Sequence, residues 1–273
     1  MSAPDYRAWI GRSETLTDEL NAAPLRGLAA LLDYDAPPWR AGFAPPLAHW
    51  LYFLPTAAQH AIDVDGHPKR GGFLPPVELP RRMWAGGRLT FHAPLAIGAR
   101  MERHSTIADV VAKSGASGDM VFVTVRHVVR VNGADVVTEE QDIVYRGAAI
   151  APAKAAPPEA RIAERERGFS PDPTMLFRFS ALTFNAHRIH YDREYATGEE
   201  GYEGLVVHGP YIATALMDHA IRTSPDVAFA SFQFRAQRPL FDGDAATLCR
   251  AGEDLWCRNS AGEITMTARI NVA

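Results

Sequence analysis

The chain has 273 residues and a formal net charge of −4, with 28 basic and 32 acidic side chains interspersed. That balance excludes a nucleic-acid stripe or a polybasic membrane anchor, and 47% hydrophobic content can fill a sizeable core in one large domain or two modest ones. No uncharged apolar run approaches the ~20 residues a membrane helix needs.

In chain order, the opening "MSAPDYRAWIGRSETLTDEL" lacks the basic and apolar regions of a secretory signal. "LAHWLYFLPTAAQHA", from Leu47 to Ala61, places bulky apolar groups at three- and four-residue steps, which predicts a helix. The loop "GHPKRGG" and the later "GGRLTFHAPL" are rich in glycine, but neither carries a phosphate-loop pattern in a strand-to-helix context. Lys69, Arg70, Arg81 and Arg82 are nonetheless available there to pair with anions. Pro94-Leu95 and Gly98 then mark a bend, and Asn132-Gly133 joins two β-rich runs as a hairpin.

Residues 148–166, poor in large apolar groups and rich in Ala, Pro and charge, read as a linker between modules at 1–147 and 167–273. The second module repeats the local pattern of the first. "HGPYIATALMDHAIRTS" predicts a helix, Pro239-Leu240 and Gly243 repeat the bend, and Ala261-Gly262 turns a final hairpin. Each half is therefore expected to run helix first, then antiparallel strands. The fold class is α+β, two duplicated modules with a long helix on a curved sheet, joined edge to edge. Cys249 and Cys257 make neither a metal spacing nor a disulfide scaffold, so a cytoplasmic protein with reduced thiols is expected.

Between the linker and the second predicted helix lies "FNAHRIHYD", Phe184 to Asp192, an unusual mixture of histidines, amide, arginine and carboxylate. With His208-Gly209 following it, and with "GHPKRGGFLPPVELPRRMWAGGRLTFHAPL" in the first half, the chain resembles the MaoC-like hot dog hydratases and dehydratases. It is most similar to their double-hot-dog branch, which acts on carboxylated enoyl-CoAs such as mesaconyl-C4-CoA and itaconyl-CoA. The wider signature, Asp-x-Asn-Pro-(Ile/Leu)-His, aligns with Asn185, His187, Arg188 and His190; the aspartate, asparagine and proline are replaced, the last histidine kept. The first half shows no such motif, so the resemblance implies a non-catalytic module that shapes the acyl pocket.

The resemblance implies a hydro-lyase acting at the double bond of an enoyl-CoA, with acyl-CoA as partner, no cofactor beyond the substrate's own CoA, and a homodimer. Within that frame His190 suits a base working near neutrality. Asn185 suits a water-holding amide, or equally a turn former. His187 is the favoured substitute for the missing carboxylate, with Asp192 orienting it. Gly209 suits a helix-start N–H that stabilises an enolate-like oxygen. His208 and Asp192 complete the substrate-binding expectations, together with Arg188, Arg235 and Arg238 as clamps for an acyl carboxylate. His187, His190, His208 and Asp192 invite a metal reading, which the His-Gly match makes unnecessary. The two rival functions are a fatty-acid-type 3-hydroxyacyl-thioester dehydratase and a non-catalytic thioester binder.

Overall fold

The computed structural model describes residues 5–115, 118–147 and 161–273. Its frame is a 10-stranded antiparallel sheet. In chain order the strands are β1 Ser13–Glu19, β2 Arg81–Phe91, β3 Arg100–Gly115, β4 Gly118–Val131, β5 Ala134–Arg146, β6 Arg165–Phe169, β7 Phe229–Ala236, β8 Ala246–Ala251, β9 Asp254–Arg258 and β10 Ile264–Val272. They lie side by side as β1-β3-β4-β5-β2-β7-β10-β9-β8-β6. Read outward from the β2–β7 seam, both halves give one order: β2-β5-β4-β3-β1 and β7-β10-β9-β8-β6.

Among the described residues three α-helices accompany the sheet: α1 Ala22–Leu31, α2 Pro173–Thr183 and α3 Gly209–Thr223. Neither α1 nor α2 is among the elements expected from the sequence. They occupy matching places, each just after the first strand of its half. Asn21 and Asp172 cap them by accepting from Ala23 N and Met175 N. The two bends named in the sequence hold these caps in the same way. Gly98 N donates to Leu20 O, and Gly243 N to Pro171 O.

The expected first-half helix does not form. Among the described residues, "LAHWLYFLPTAAQHA" gives a single 3-10 turn at Ala48–Leu51 and another at Gln59–Ala61. Leu47 and Phe53 take left-handed φ values of 68° and 53°, and Pro55 cannot continue a helix. The helical spacing of the apolar residues reflects burial of an irregular segment. The expected linker is also shorter at its end. Residues 148–160 lie outside the described ones, while Arg165 and Glu166 already pair with Arg250 and Cys249 in the sheet.

The two halves therefore cover the sheet differently. In the second half, α3 is buried from Tyr211 to Ile221, its buried polar residues being Thr214, Asp218, which pairs with Arg167 and Arg222, and His219. In the first half the segment Leu47–Phe53 packs on Leu89, Val129 and Val137, and a loop carrying Val77 packs on Ile107, Val123 and Tyr145. A polar row crosses the same strands: Ser105 stands opposite His127, and His127 opposite Glu139. All three are buried, and Glu139 accepts from His49 Nε2 and Trp50 Nε1, each at 2.9 Å.

At the seam, Gly86 and Gly87 let β2 press against β7. A methyl group on Gly86 would meet Phe234 O at 2.6 Å, which explains this glycine pair as sheet packing and removes any need for a phosphate loop there.

Candidate active site

The loop after α2 turns sharply because Phe184 adopts φ 48°, and Asn185 N closes the helix on Ser180 O. Asn185 Oδ1 then accepts from His187 N at 3.0 Å, a side-chain turn that starts the 3-10 turn Arg188–His190. Asn185 is thus first a turn former, its oxygen already engaged.

His190 is buried beneath this turn. Its Nδ1 lies 2.6 Å from Val206 O, which can only accept, so Nδ1 carries the proton and Nε2 keeps its lone pair. Val206 is held in turn by Ile189 O, and Val207 by Leu240 O in the second bend. Burial pushes the His190 pKa down to about 4, the Val206 carbonyl resisting and His67 assisting the fall. The ring is neutral at physiological pH.

His208, the residue before α3, stacks on His190 with centroids 3.6 Å apart. Its Nε2 is 2.8 Å from Ser180 Oγ, and its Nδ1 is buried without a partner. Burial, with repulsion from His190 and His187, holds it well below the usual histidine range. Gly209 follows as the first helical residue. Pro210 brings no N–H, and Tyr211 N and Ile212 N both return to His208 O. The helix start therefore offers the Gly209 N–H as its free donor.

A second group enters from the first half. Asp65 Oδ2 accepts from His67 Nδ1 at 3.0 Å and its Oδ1 from His67 N at 2.8 Å. The His67 ring lies 4.0 Å from that of His187, which meets His190 edge-on at 5.4 Å. Burial lowers the His187 pKa, and the positive charges that His67 and His190 can take reinforce it. Burial lowers His67 likewise, against the pull of Asp65. Asp65 itself is pushed up by burial but held low on balance by the two hydrogen bonds from His67, so it is ionised. Arg82 acts on both His67 and His187, and it has no ion pair among the described residues.

Other expected residues stand apart from this cluster. Asp192 accepts from Arg188 Nε and Nη2 and from Tyr195 N, so it shapes the loop and makes no described contact with His187. Arg188 is committed to Asp192 and Val64 O. Arg235 alternates with buried Phe232 and Phe234 and is exposed on the opposite face of the sheet. Arg238 pairs with Glu263. Of the loop cations, Lys69 donates to His60 O, Arg70 to the carbonyls of Val77, Leu79 and Pro80, and Arg81 pairs with Glu200. The sequence reading missed Asp65, His67 and Ser180. Its one available signal was the histidine inside "DGHPKR", next to the glycine the loop needs.

Fold and site together define a MaoC-like hot dog hydratase or dehydratase. A double hot dog protein of Mycobacterium tuberculosis superposes with TM-score 0.58 at 14% identity, covering 96% of each chain. A MaoC-like dehydratase from Phytophthora capsici gives 0.72 at 14% identity over 98% of this chain and 97% of that one.

More particularly, residues 47–242 match the hydroxyacyl-thioester dehydratase type 2 family, and the chain belongs to it. Mesaconyl-C(4)-CoA hydratase of Chloroflexus aurantiacus is 50% identical over 249 residues, 89% of this chain and 87% of the relative. The protein is an enzyme of the hydro-lyase class.

Proposed function

We propose that this enzyme adds water across the double bond of a short, carboxylated enoyl-CoA thioester, of the kind named in its Chloroflexus relative. The observation that carries the reading is the neutral His190, with Nε2 free as a base and its ring stacked on the histidine that starts α3. His190 takes a proton from water as the oxygen bonds to the β-carbon. The π electrons move toward the thioester oxygen, where the Gly209 N–H and the α3 dipole offset the developing charge. The proton then passes to the α-carbon, so hydration consumes no outside acid and needs no cofactor in this reading.

Arg82, opposite buried Tyr145 on the inner face of the sheet, is the arginine for the acyl carboxylate in this reading, because it makes no ion pair among the described residues while Arg188 and Arg238 are tied elsewhere and Arg235 faces away. No metal enters the mechanism in this reading. Buried, reduced Cys249 and Cys257 support a cytoplasmic location.

The family name favours a second reading, a 3-hydroxyacyl-thioester dehydratase of longer chains. The buried row Ser105, His127 and Glu139 weighs against an apolar tunnel in the first half. Hydration assays with short dicarboxylic and long monocarboxylic enoyl-CoAs decide between them. Faster turnover of a chain of eight or more carbons would overturn the favoured substrate.

Removing the base in His190→Ala should lower kcat by roughly 10²–10⁴ with CoA affinity kept. Wild-type turnover in that variant would place the chemistry elsewhere. Gly209→Ala adds a sharper test of the oxyanion donor. An added methyl there meets only Trp84 O at an ordinary 3.6 Å, so the protein should fold unchanged while the thioester is held off the N–H.

A further inference from the structure

The loop that carries Asp65 and His67 is fastened to the loop that carries His187 and His190. Arg188 N donates to Asp65 O at 2.9 Å, and Arg188 Nη1 to Val64 O at 3.1 Å. Between them Gly66, at φ +91°, lies so close to the facing loop that an added methyl would sit 1.8 Å from Ala186 O. Only glycine permits this contact. A first half that merely shaped the acyl pocket would not need a loop carboxylate bonded to a histidine whose ring is pressed to within 4.0 Å of that of His187.

The chemistry has a place for such a pair. Proton uptake leaves a cation among four buried or nearly buried imidazoles and Arg82, and no carboxylate of the 184–192 loop faces it: position 185 is an amide, and Asp192 is paired with Arg188. Asp65 is the carboxylate that does face it, acting on both His67 and His187.

We propose that Asp65 and His67 form a second proton-handling pair of this active site, donated by the first half. Asp65 holds the His67 Nδ1 proton, which leaves Nε2 as the nitrogen that takes or returns a proton. In hydration the O–Cβ bond forms as the water O–H bond breaks, and the π pair moves toward the thioester oxygen. The released proton is shared by His190 and His67 before it reaches the α-carbon as the new C–H bond. Both imidazoles end neutral. Asp65 is a positioning residue that also offsets the transient cation. The groups facing His67 are Asp65 and Arg70 of its own loop, Arg82 of β2, and His187 and His190 of the facing turn.

The inference rests on the hydratase reading, and the two fail differently. A wild-type enzyme that hydrates no enoyl-CoA sinks the reading, whereas full turnover without His67 sinks only the pair. The test uses the intact enzyme with its best enoyl-CoA. His67→Ala and His67→Gln should both lose roughly 10²-fold in kcat with KM within about threefold, and added imidazole should restore part of the loss in His67→Ala. Asp65→Asn, which keeps an acceptor for His67, should lose about 10-fold and move the acidic limb of the kcat profile to lower pH, because the imidazolium loses its counter-charge. Thermal melting of all three separates chemistry from folding. Full activity in His67→Gln, or losses that track melting temperature alone, would overturn the proposal. So would one equivalent of tightly bound metal whose removal abolishes turnover, since the trio Asp65, His67 and His187 would then be its holder.

Discussion

The two halves share one strand order and one kind of cap, yet they cover the sheet with different kinds of segment. In the second half a buried helix, α3, lies on β8, β9 and β10, pairs its own buried Asp218 with Arg167 and Arg222, and presents His208 and Gly209 at its N-terminus. In the first half two irregular segments cover the sheet, and a buried polar row of Ser105, His127 and Glu139 takes the middle. A helix satisfies its own backbone and needs only apolar neighbours. An irregular segment must find partners for its polar groups, and Glu139 supplies two of them at His49 and Trp50. The irregular cover of the first half thus explains the partners that Glu139 supplies and the long loops that reach the other half's site.

The comparison predicts its largest stability effect at Glu139. Its carboxylate is pushed up by burial but lowered on balance to about 2, chiefly by the His49 hydrogen bond and charge. Glu139→Ala removes one partner of a buried pair and should cost about 3–5 kcal/mol, measured by denaturant unfolding. A loss under about 1 kcal/mol would mean the polar row is solvated and contributes little structure.

Acid sharpens the comparison next. Burial lowers His190 in one half and His127 in the other to about 4 each. A histidine free to titrate near 6.5 when unfolded binds more protons unfolded than folded between those values. Stability should therefore be full above about pH 6.5 and fall as pH drops toward 4, by on the order of 3 kcal/mol per histidine. Glu139 adds a further loss between 4.5 and about 2, because its folded value is the lower. His127→Phe, filling the same space, should flatten part of the upper window in the first half alone. An unchanged slope would show that His127 is not buried neutral.

How much of this was legible in the sequence follows from which forces are local. Asn132-Gly133 announced its hairpin because both residues take positive φ, 51° and 80°, a demand few other residues meet. His190 and His208-Gly209 were readable because a short turn and a helix start bring them together within one half. In the first-half segment the three- and four-residue apolar spacing reflects burial of an irregular chain, and the left-handed Leu47 and Phe53 are set by tertiary packing. Asp65 and His67 were invisible for another reason. Their place is set by contacts such as Arg188 to Val64, 124 residues apart, which no local pattern records.

The smallest predicted effect is at Arg235, and it tests how the sheet divides its faces. Side chains alternate along β7, so Phe232 and Phe234 point into the core, where Phe234 meets Trp50 and Trp84 at ring separations of 5.9 and 5.7 Å. Arg235 follows Phe234 in phase with exposed Gln233, on the face away from α3 and the histidines. An arginine clamp on the acyl carboxylate would have to stand on the inner side, where Arg82 acts on His67 and His187. Arg235→Ala should therefore change stability by less than about 0.5 kcal/mol and leave kcat/KM for a carboxylated enoyl-CoA within about twofold. Arg82→Ala, measured beside it, should raise KM for that substrate far more than for an uncarboxylated one. If Arg235→Ala instead loses the preference for a carboxylate, the acyl chain crosses the β2–β7 seam and the pocket lies on the other face of the sheet.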